Sequence, residues 1–280
     1  MKYCFPNRPS LKIISVKKVK MIGLISKRIY RLDIIASFNR RNLHMKKGLL
    51  YLLAFLIGAG VLYLLYIFKY DDHTESQKNK VITAFGDSLT YGKGARSEQG
   101  YIGQLEKQLN QRKNHTYQIH NYGIPGQQSE GVLKQLGNIK ISEKINESDY
   151  IILYIGTNDF RYSSGGNFLT LNKEKLNQQK ADYINNIHTI VKAIRSLNKE
   201  VPIIVLGLYN PFPDKNEIDA YINDWNTNLK REIIQTNHVQ FIPTNDLFQH
   251  EDKKQYFSDA LHLNHEGYKK IADRLVLEIK

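Results

Sequence analysis

Cysteine is almost missing from this chain of 280 residues: Cys4 stands alone. One thiol excludes a disulfide framework and any cysteine-based zinc site. Acidic residues are just as scarce at one end, where residues 1–47 hold 13 Lys and Arg against the single acid Asp33. Residues 48–68 hold no charge at all, and residues 69–280 balance 27 bases against 26 acids. The net charge of +13 therefore belongs to the N-terminal end, and the body is nearly neutral. A body without surplus positive charge does not form the basic groove that nucleic acids need, and no nucleic-acid partner is expected. Internal repeats and low-complexity tracts are absent. Hydrophobic residues at 41% and charged residues at 24% are values of a folded chain.

The uncharged stretch at 48–68 reads GLLYLLAFLIGAGVLYLLYIF, which is 21 residues long. At about 1.5 Å per residue such a helix crosses a hydrocarbon core of about 30 Å. It shows none of the polar stripe of a surface helix, so it is expected to be a transmembrane anchor. A cleaved signal peptide is the competing reading. It is disfavoured because Lys69-Tyr70-Asp71-Asp72 follows, with no small-residue cleavage pattern and no cysteine to carry a lipid. Six Lys and Arg lie in the twenty residues before the stretch and three in the twenty after it. That bias places the N-terminus in the cytoplasm and the body outside. The basic segment 1–47 has two readings: Met45-Lys46-Lys47 as the start of translation, or an amphipathic segment on the inner leaflet. Residues 69–79 are polar and read as a linker.

From residue 80 short apolar runs alternate with amphipathic stretches. Val81–Phe85, Tyr117–Asn121, Tyr150–Ile155, Ile203–Leu208 and Val239–Ile242 are each bounded by Gly, Pro or Asn and read as strands. Within 181–199, Tyr183, Ile187, Ile190, Val191, Ile194 and Leu197 share one helical face. Within 217–237, Ile218, Tyr221, Ile222, Trp225, Leu229 and Ile233 do the same. Tyr101 to Leu109 and Ile271 to Ile279 are shorter helical stretches. Strands alternating with helices imply a parallel sheet covered on both faces, hence one α/β domain of three layers, α/β/α, over 80–280. Ligands of such sheets bind outside the carboxyl ends of the strands.

The residues after each strand therefore matter most. They are Gly86-Asp87-Ser88-Leu89-Thr90, then Gly123-Ile124-Pro125-Gly126, Gly156-Thr157-Asn158-Asp159, Tyr209-Asn210-Pro211-Phe212-Pro213 and Ser258-Asp259-Ala260-Leu261-His262. Together they hold the parts of an acyl-transfer site. A serine hydroxyl attacks only when a base takes its proton, and imidazole is suited to that near neutrality. A carboxylate on the other ring nitrogen fixes the tautomer. Backbone N–H groups at Ser88 and Gly126, with the Asn158 amide, are candidate donors for the oxyanion. Each residue also has a plainer reading. Ser88 fits a helix-starting turn, Gly123 and Gly126 fit loop glycines, and Asn158 with Asp159 fits a strand-end turn. Asp259, His262 and His265 are too few for a convincing metal site, and His265 is better placed opening the last helix behind an Asn264 cap. No metal or cofactor is expected. His73, His115, His120, His188, His238 and His250 show no partner pattern.

Gly86-Asp87-Ser88-Leu89, the Gly126 loop, Gly156-x-Asn158-Asp159 and Asp259-x-x-His262 resemble, in order, the four sequence blocks of the GDSL or SGNH hydrolases. The resemblance covers 80–280 and none of the anchor. It implies a flavodoxin-like sheet of five parallel strands. It also implies Ser88 as nucleophile, His262 as base, Asp259 as its orienter, and Gly126 and Asn158 as oxyanion donors beside Ser88. The G-x-S-x-G elbow of the α/β-hydrolases is absent, which disfavours that other serine-hydrolase fold.

Two segments are expected to shape the substrate pocket, Phe160–Leu171 and Tyr209–Asp214, with Phe160, Tyr209 and Phe212 in contact with substrate. Aromatic and uncharged, they suit an acyl chain better than a polyanion. Packing of the loops by Phe160, Phe168 and Phe212 is the alternative. The expected activity is hydrolysis of lipid-like esters. The rivals are an O-acetylesterase of surface polysaccharide and a silent binding module for envelope glycans or lipids.

Overall fold

The computed structural model describes residues 53–66, 79–95, 99–112, 115–166, 168, 171–212, 214–249 and 251–280. The chain divides into two units, Met1–Glu75 and Ser76–Lys280. In the first, residues 53–66 are helical and exposed throughout. The rest of the expected anchor, 48–52 and 67–68, lies outside the described residues, as do the segment 1–47 and nearly all of the linker. No helix among the described residues is long and apolar enough to cross a membrane.

The second unit holds β1 (Asn79–Gly86), α1 (Ser88–Tyr91), α2 (Gly100–Asn110), β2 (Thr116–Gly123), α3 (Ser129–Leu136), α4 (Ile139–Glu147) and β3 (Tyr150–Tyr154). It continues through α5 (Thr157–Ser163), α6 (Lys173–Leu197), β4 (Ile203–Leu206), α7 (Asn216–Ile233), β5 (Val239–Ile242), α8 (Lys253–Tyr256) and α9 (His265–Val276). The five strands form one parallel sheet in the order β2-β1-β3-β4-β5.

Successive strand residues point to opposite faces, and here both faces are covered. Ile151, Leu153, Ile203 and Val205 join Ile187, Ile190 and Ile194 of α6 and Ile222, Trp225 and Leu229 of α7 in one core. Ile152, Tyr154, Ile204 and Leu206 join Leu105 and Leu109 of α2 and Ile271 and Leu275 of α9 in the other. Trp225 anchors the first, stacked on Tyr183 at 5.5 Å and edge-on to Phe160 at 5.1 Å.

All five expected strands are present, within three residues at each end. The helix expected over 181–199 begins eight residues earlier, at Lys173, where Asn172 caps it by accepting from the Lys175 N–H. Its first turns are polar apart from Leu176, so they carry no apolar period. The last helix likewise starts at His265, capped by Asn264, which accepts from the Glu266 and Gly267 N–H groups. Helices α3 and α4 lie in a stretch to which the sequence assigns no element, and α5 takes up the expected strand-end turn at Asn158 and Asp159.

After β1 the chain goes to β2 on one side and then to β3 on the other. That reversal leaves a crevice beyond the carboxyl ends of β1 and β3, the preferred ligand position in such sheets.

Candidate active site

At the end of β1, Gly86 sits where no side chain fits. A Cβ there would stand 2.3 Å from the Tyr154 carbonyl oxygen and 2.1 Å from Thr90 Oγ1. The chain then turns directly into α1. Asp87 caps that helix, its Oδ1 accepting from the Leu89 N–H at 2.9 Å. Ser88 becomes the first helical residue, 5% exposed at the rim.

Ser88 Oγ lies 3.0 Å from His262 Nε2, and His262 Nδ1 lies 2.7 Å from Asp259 Oδ2. The three side chains expected to act together are thus aligned by hydrogen bonds. Asp259 and His262 share one tight turn before α9. Asp259 Oδ1 accepts from the N–H groups of Leu261 at 2.8 Å and His262 at 2.7 Å. Phe257 and Leu263 pair across the base of the turn, and the Ser258 N–H donates to the His262 carbonyl at 2.9 Å. Burial pushes the Asp259 carboxyl up, but the two backbone donors and the imidazole outweigh it and hold the group below its ordinary range. It is an anion at neutral pH, as an orienter must be.

Asn158 enters from the first turn of α5, beyond β3, and is buried. Its amide nitrogen donates to the Gln127 carbonyl at 3.0 Å and to Asp87 Oδ2 at 3.3 Å. It thus ties the end of β3 to the ends of β2 and β1. Gly126 stands in an exposed turn with φ +81°, and a Cβ there would meet nothing within 4 Å. Gly123 is different: a Cβ would fall 2.4 Å from the Tyr91 backbone nitrogen. Gly123 is needed for close packing, and Gly126 for its left-handed turn beside open space. Among the described residues the backbone N–H groups of Ser88 and Gly126 have no hydrogen-bond partner. A backbone N–H without a protein partner is a donor suited to anionic oxygen.

Two buried carboxyls support the site from below. Asp87 is fully buried, and burial, aided by the Asp159 charge, pushes its pKa up to about 7 against the donated backbone hydrogen bonds. Asp159 accepts from the Ser129 N–H at 3.0 Å and from Ser129 Oγ at 2.5 Å, and Asn186 donates to that same hydroxyl at 2.9 Å. Burial raises Asp159 as well, with the Ser129 bonds opposing it. Neither carboxyl was singled out as a site residue. Each stands beside a chosen residue, and nothing in the spacing reports burial.

The aromatic residues expected to line the pocket separate. Phe160 is completely buried, stacked on Phe168 at 5.7 Å and packed on Trp225. It sits within α5, so the Phe160–Leu171 segment begins as helix and not as loop. Tyr209 is buried among Phe248 and Phe257 at 5.1 and 5.8 Å. Phe212 alone keeps some exposed area. Residues 167, 169, 170 and 213 of these segments lie outside the described residues. His265 opens α9, its carbonyl accepting from Gln104 at 3.0 Å.

A serine, an imidazole and a carboxylate thus stand in one hydrogen-bonded line beyond the carboxyl ends of a parallel sheet. The model of the GDSL-like lipase/acylhydrolase family matches residues 84–270, and the chain belongs to that family. The uncharacterized protein YpmR of Bacillus subtilis is 32% identical over 214 residues, covering 74% of this chain and 84% of that one. Among solved structures, the lipase Lip_vut3 from a goat rumen metagenome superposes with a TM-score of 0.64 at 24% identity, covering 70% of this chain and 95% of its own. A variant of Axe2, an acetylxylan esterase from Geobacillus stearothermophilus, gives 0.57 at 18% identity, covering 73% and 96%.

Proposed function

We propose that the protein is a serine esterase in which Ser88 is the nucleophile, His262 the general base and Asp259 its orienter. The hydrogen-bonded line Ser88–His262–Asp259 carries this reading. His262 Nε2 takes the Ser88 proton as Oγ attacks the ester carbonyl, and Asp259 stabilises the imidazolium through Nδ1. The tetrahedral oxyanion is received by the N–H groups of Ser88 and Gly126. Asn158 adds a third donor by exchanging its longer bond, the 3.3 Å one to Asp87, for the oxyanion. His262 then gives its proton to the leaving alkoxide, and water repeats the sequence on the acyl-enzyme.

Lipid-like acyl esters are the favoured substrates. Ile124, beside the Gly126 turn, is 46% exposed, and Phe212 is partly so, which offers apolar contact to an acyl chain. A membrane anchor at 48–68, with the catalytic domain outside the cytoplasm, belongs to the same reading. It is supported by the uncharged run and the Lys and Arg bias before it. O-acetylesterase activity on surface polysaccharide is the second reading. The open space around Gly126 favours it by leaving room for a bulky alcohol, and an acetylxylan esterase shares the fold.

Rates of the full chain on p-nitrophenyl acetate, butyrate and octanoate, beside acetate release from acetylated xylan, separate the two. The account predicts a preference for octanoate. Preference for acetate together with release from xylan selects the second reading. Inertness on all of them, with no fluorophosphonate adduct on Ser88, leaves a binding module.

A further inference from the structure

The turn carrying Asp259 and His262 is internally braced, so the remaining question is what fixes it relative to the sheet. The two residues between the pair present their carbonyls to side chains from elsewhere. Tyr209 Oη donates to the Leu261 carbonyl at 2.6 Å. Lys253 Nζ donates to the Ala260 carbonyl at 2.7 Å and to the Pro211 carbonyl at 2.6 Å. The same ammonium lies 4.3 Å from the ring centroid of Phe212 and 5.1 Å from that of Phe257. An ammonium has three donors and no acceptor. Here two of them go to carbonyls, and the charge rests over two aromatic rings. No carboxylate lies within ion-pairing distance of Lys253 among the described residues. The lysine is thus spent on backbone oxygens of two separate segments.

We propose that Lys253 is a positioning residue that clamps the Asp259–His262 turn to the Pro211–Phe212 segment and thereby sets the reach of His262 to Ser88. The inference rests on the esterase reading above. Its physical basis is the short tolerance of the proton-transfer geometry. His262 Nε2 stands 3.0 Å from Ser88 Oγ, and a drift of about 1 Å would take it out of hydrogen-bond range. Tyr209 holds the same turn one residue further on, from a buried position two residues before Pro211. Lys253 adds a second tie from α8, holding the turn at Ala260 and the Pro211 carbonyl next to the partly exposed Phe212.

The test uses the full chain with Lys253→Met, Lys253→Gln and Lys253→Arg, beside Ser88→Ala. Steady-state kinetics on p-nitrophenyl esters, circular dichroism, and the downfield proton NMR signal of the His262 Nδ1–H are read for each. The clamp predicts that Lys253→Met lowers kcat by about 10- to 100-fold with KM changed less than about threefold. It further predicts that the downfield signal broadens or is lost while the fold stays intact. Lys253→Arg, which keeps charge and donors, recovers part of both, and Lys253→Gln falls between. Wild-type kcat and an unchanged downfield signal in folded Lys253→Met overturn the proposal. So does unfolding of both Lys253→Met and Lys253→Gln, because the lysine would then hold the fold and not the turn. Activity that survives in Ser88→Ala is a separate failure, of the esterase reading itself.

Discussion

His262 Nε2 and Ser88 Oγ lie 3.0 Å apart although 174 residues separate them in the chain. Ser88 is delivered by the interior strand β1 and His262 by the turn before the last helix. The two meet because every strand of a parallel sheet ends on the same edge. On the far side of the ring, Asp259 holds Nδ1 at 2.7 Å, so Nε2 is the nitrogen left to face the hydroxyl.

Asp259→Asn removes the acceptor for Nδ1–H and favours the wrong tautomer. Where such a carboxylate is enclosed, the loss in kcat approaches about 10⁴-fold. The Asp259 side chain is 51% exposed, so water substitutes in part and a smaller loss, about 10²- to 10³-fold, is expected. Steady-state kinetics on a p-nitrophenyl ester measure it. Unchanged kcat would remove Asp259 from the mechanism.

Asn158→Ala deletes the proposed oxyanion donor and the bridge among the ends of β1, β2 and β3. A loss of about 10²- to 10³-fold in kcat is expected, with KM little changed, because the interaction strengthens as charge develops. An equal rise in KM with kcat preserved would instead assign Asn158 to ground-state binding.

Asp87 makes stability depend on pH with a definite sign. Its pKa is about 7 in the folded protein against 3.8 in an exposed chain, so the folded state holds the proton more tightly. Its contribution to stability is therefore full below the unfolded value and is lost as pH rises toward about 7. Asp87→Asn cannot ionise. The melting temperature of the variant minus that of wild type should climb between pH 4 and 7 and level off above. Parallel curves across that range would show that Asp87 is not held neutral.

Phe160 and Phe212 should separate packing from substrate contact. Phe160→Ala empties a fully buried site beside Trp225 and should cost about 3–5 kcal/mol of stability. Phe212→Ala, at a partly exposed position, should alter KM for long acyl esters with a much smaller change in chemical-denaturation midpoint. The reverse pattern would restore Phe160 to the pocket.

Much of this arrangement was legible in the residues alone. Five short apolar runs bounded by turn residues are strands, because a strand buried on both faces has no polar side to interrupt it. Ser88, Gly126, Asn158, Asp259 and His262 stood out since each follows a strand or precedes the last helix. The helices α3, α4 and α5 were not legible, being seven to nine residues long with too few turns for a period to show. Phe160 and Tyr209 carry no sign of their direction: an aromatic residue after a strand is written the same way whether it faces the core or a ligand. Lys253 was also hidden, because its partners are backbone carbonyls at 211 and 260 that any residue supplies.

Hydrolysis of p-nitrophenyl esters by the full chain and by its Ser88→Ala variant tests the central claim most directly. The alanine chain keeps the fold, since Ser88 contributes only its hydroxyl to the bond with His262. The account predicts a loss of several orders of magnitude in kcat with unchanged circular dichroism, and a fluorophosphonate adduct on Ser88 in the wild type alone. Equal turnover by the two proteins, or an adduct that persists without the serine, would contradict it.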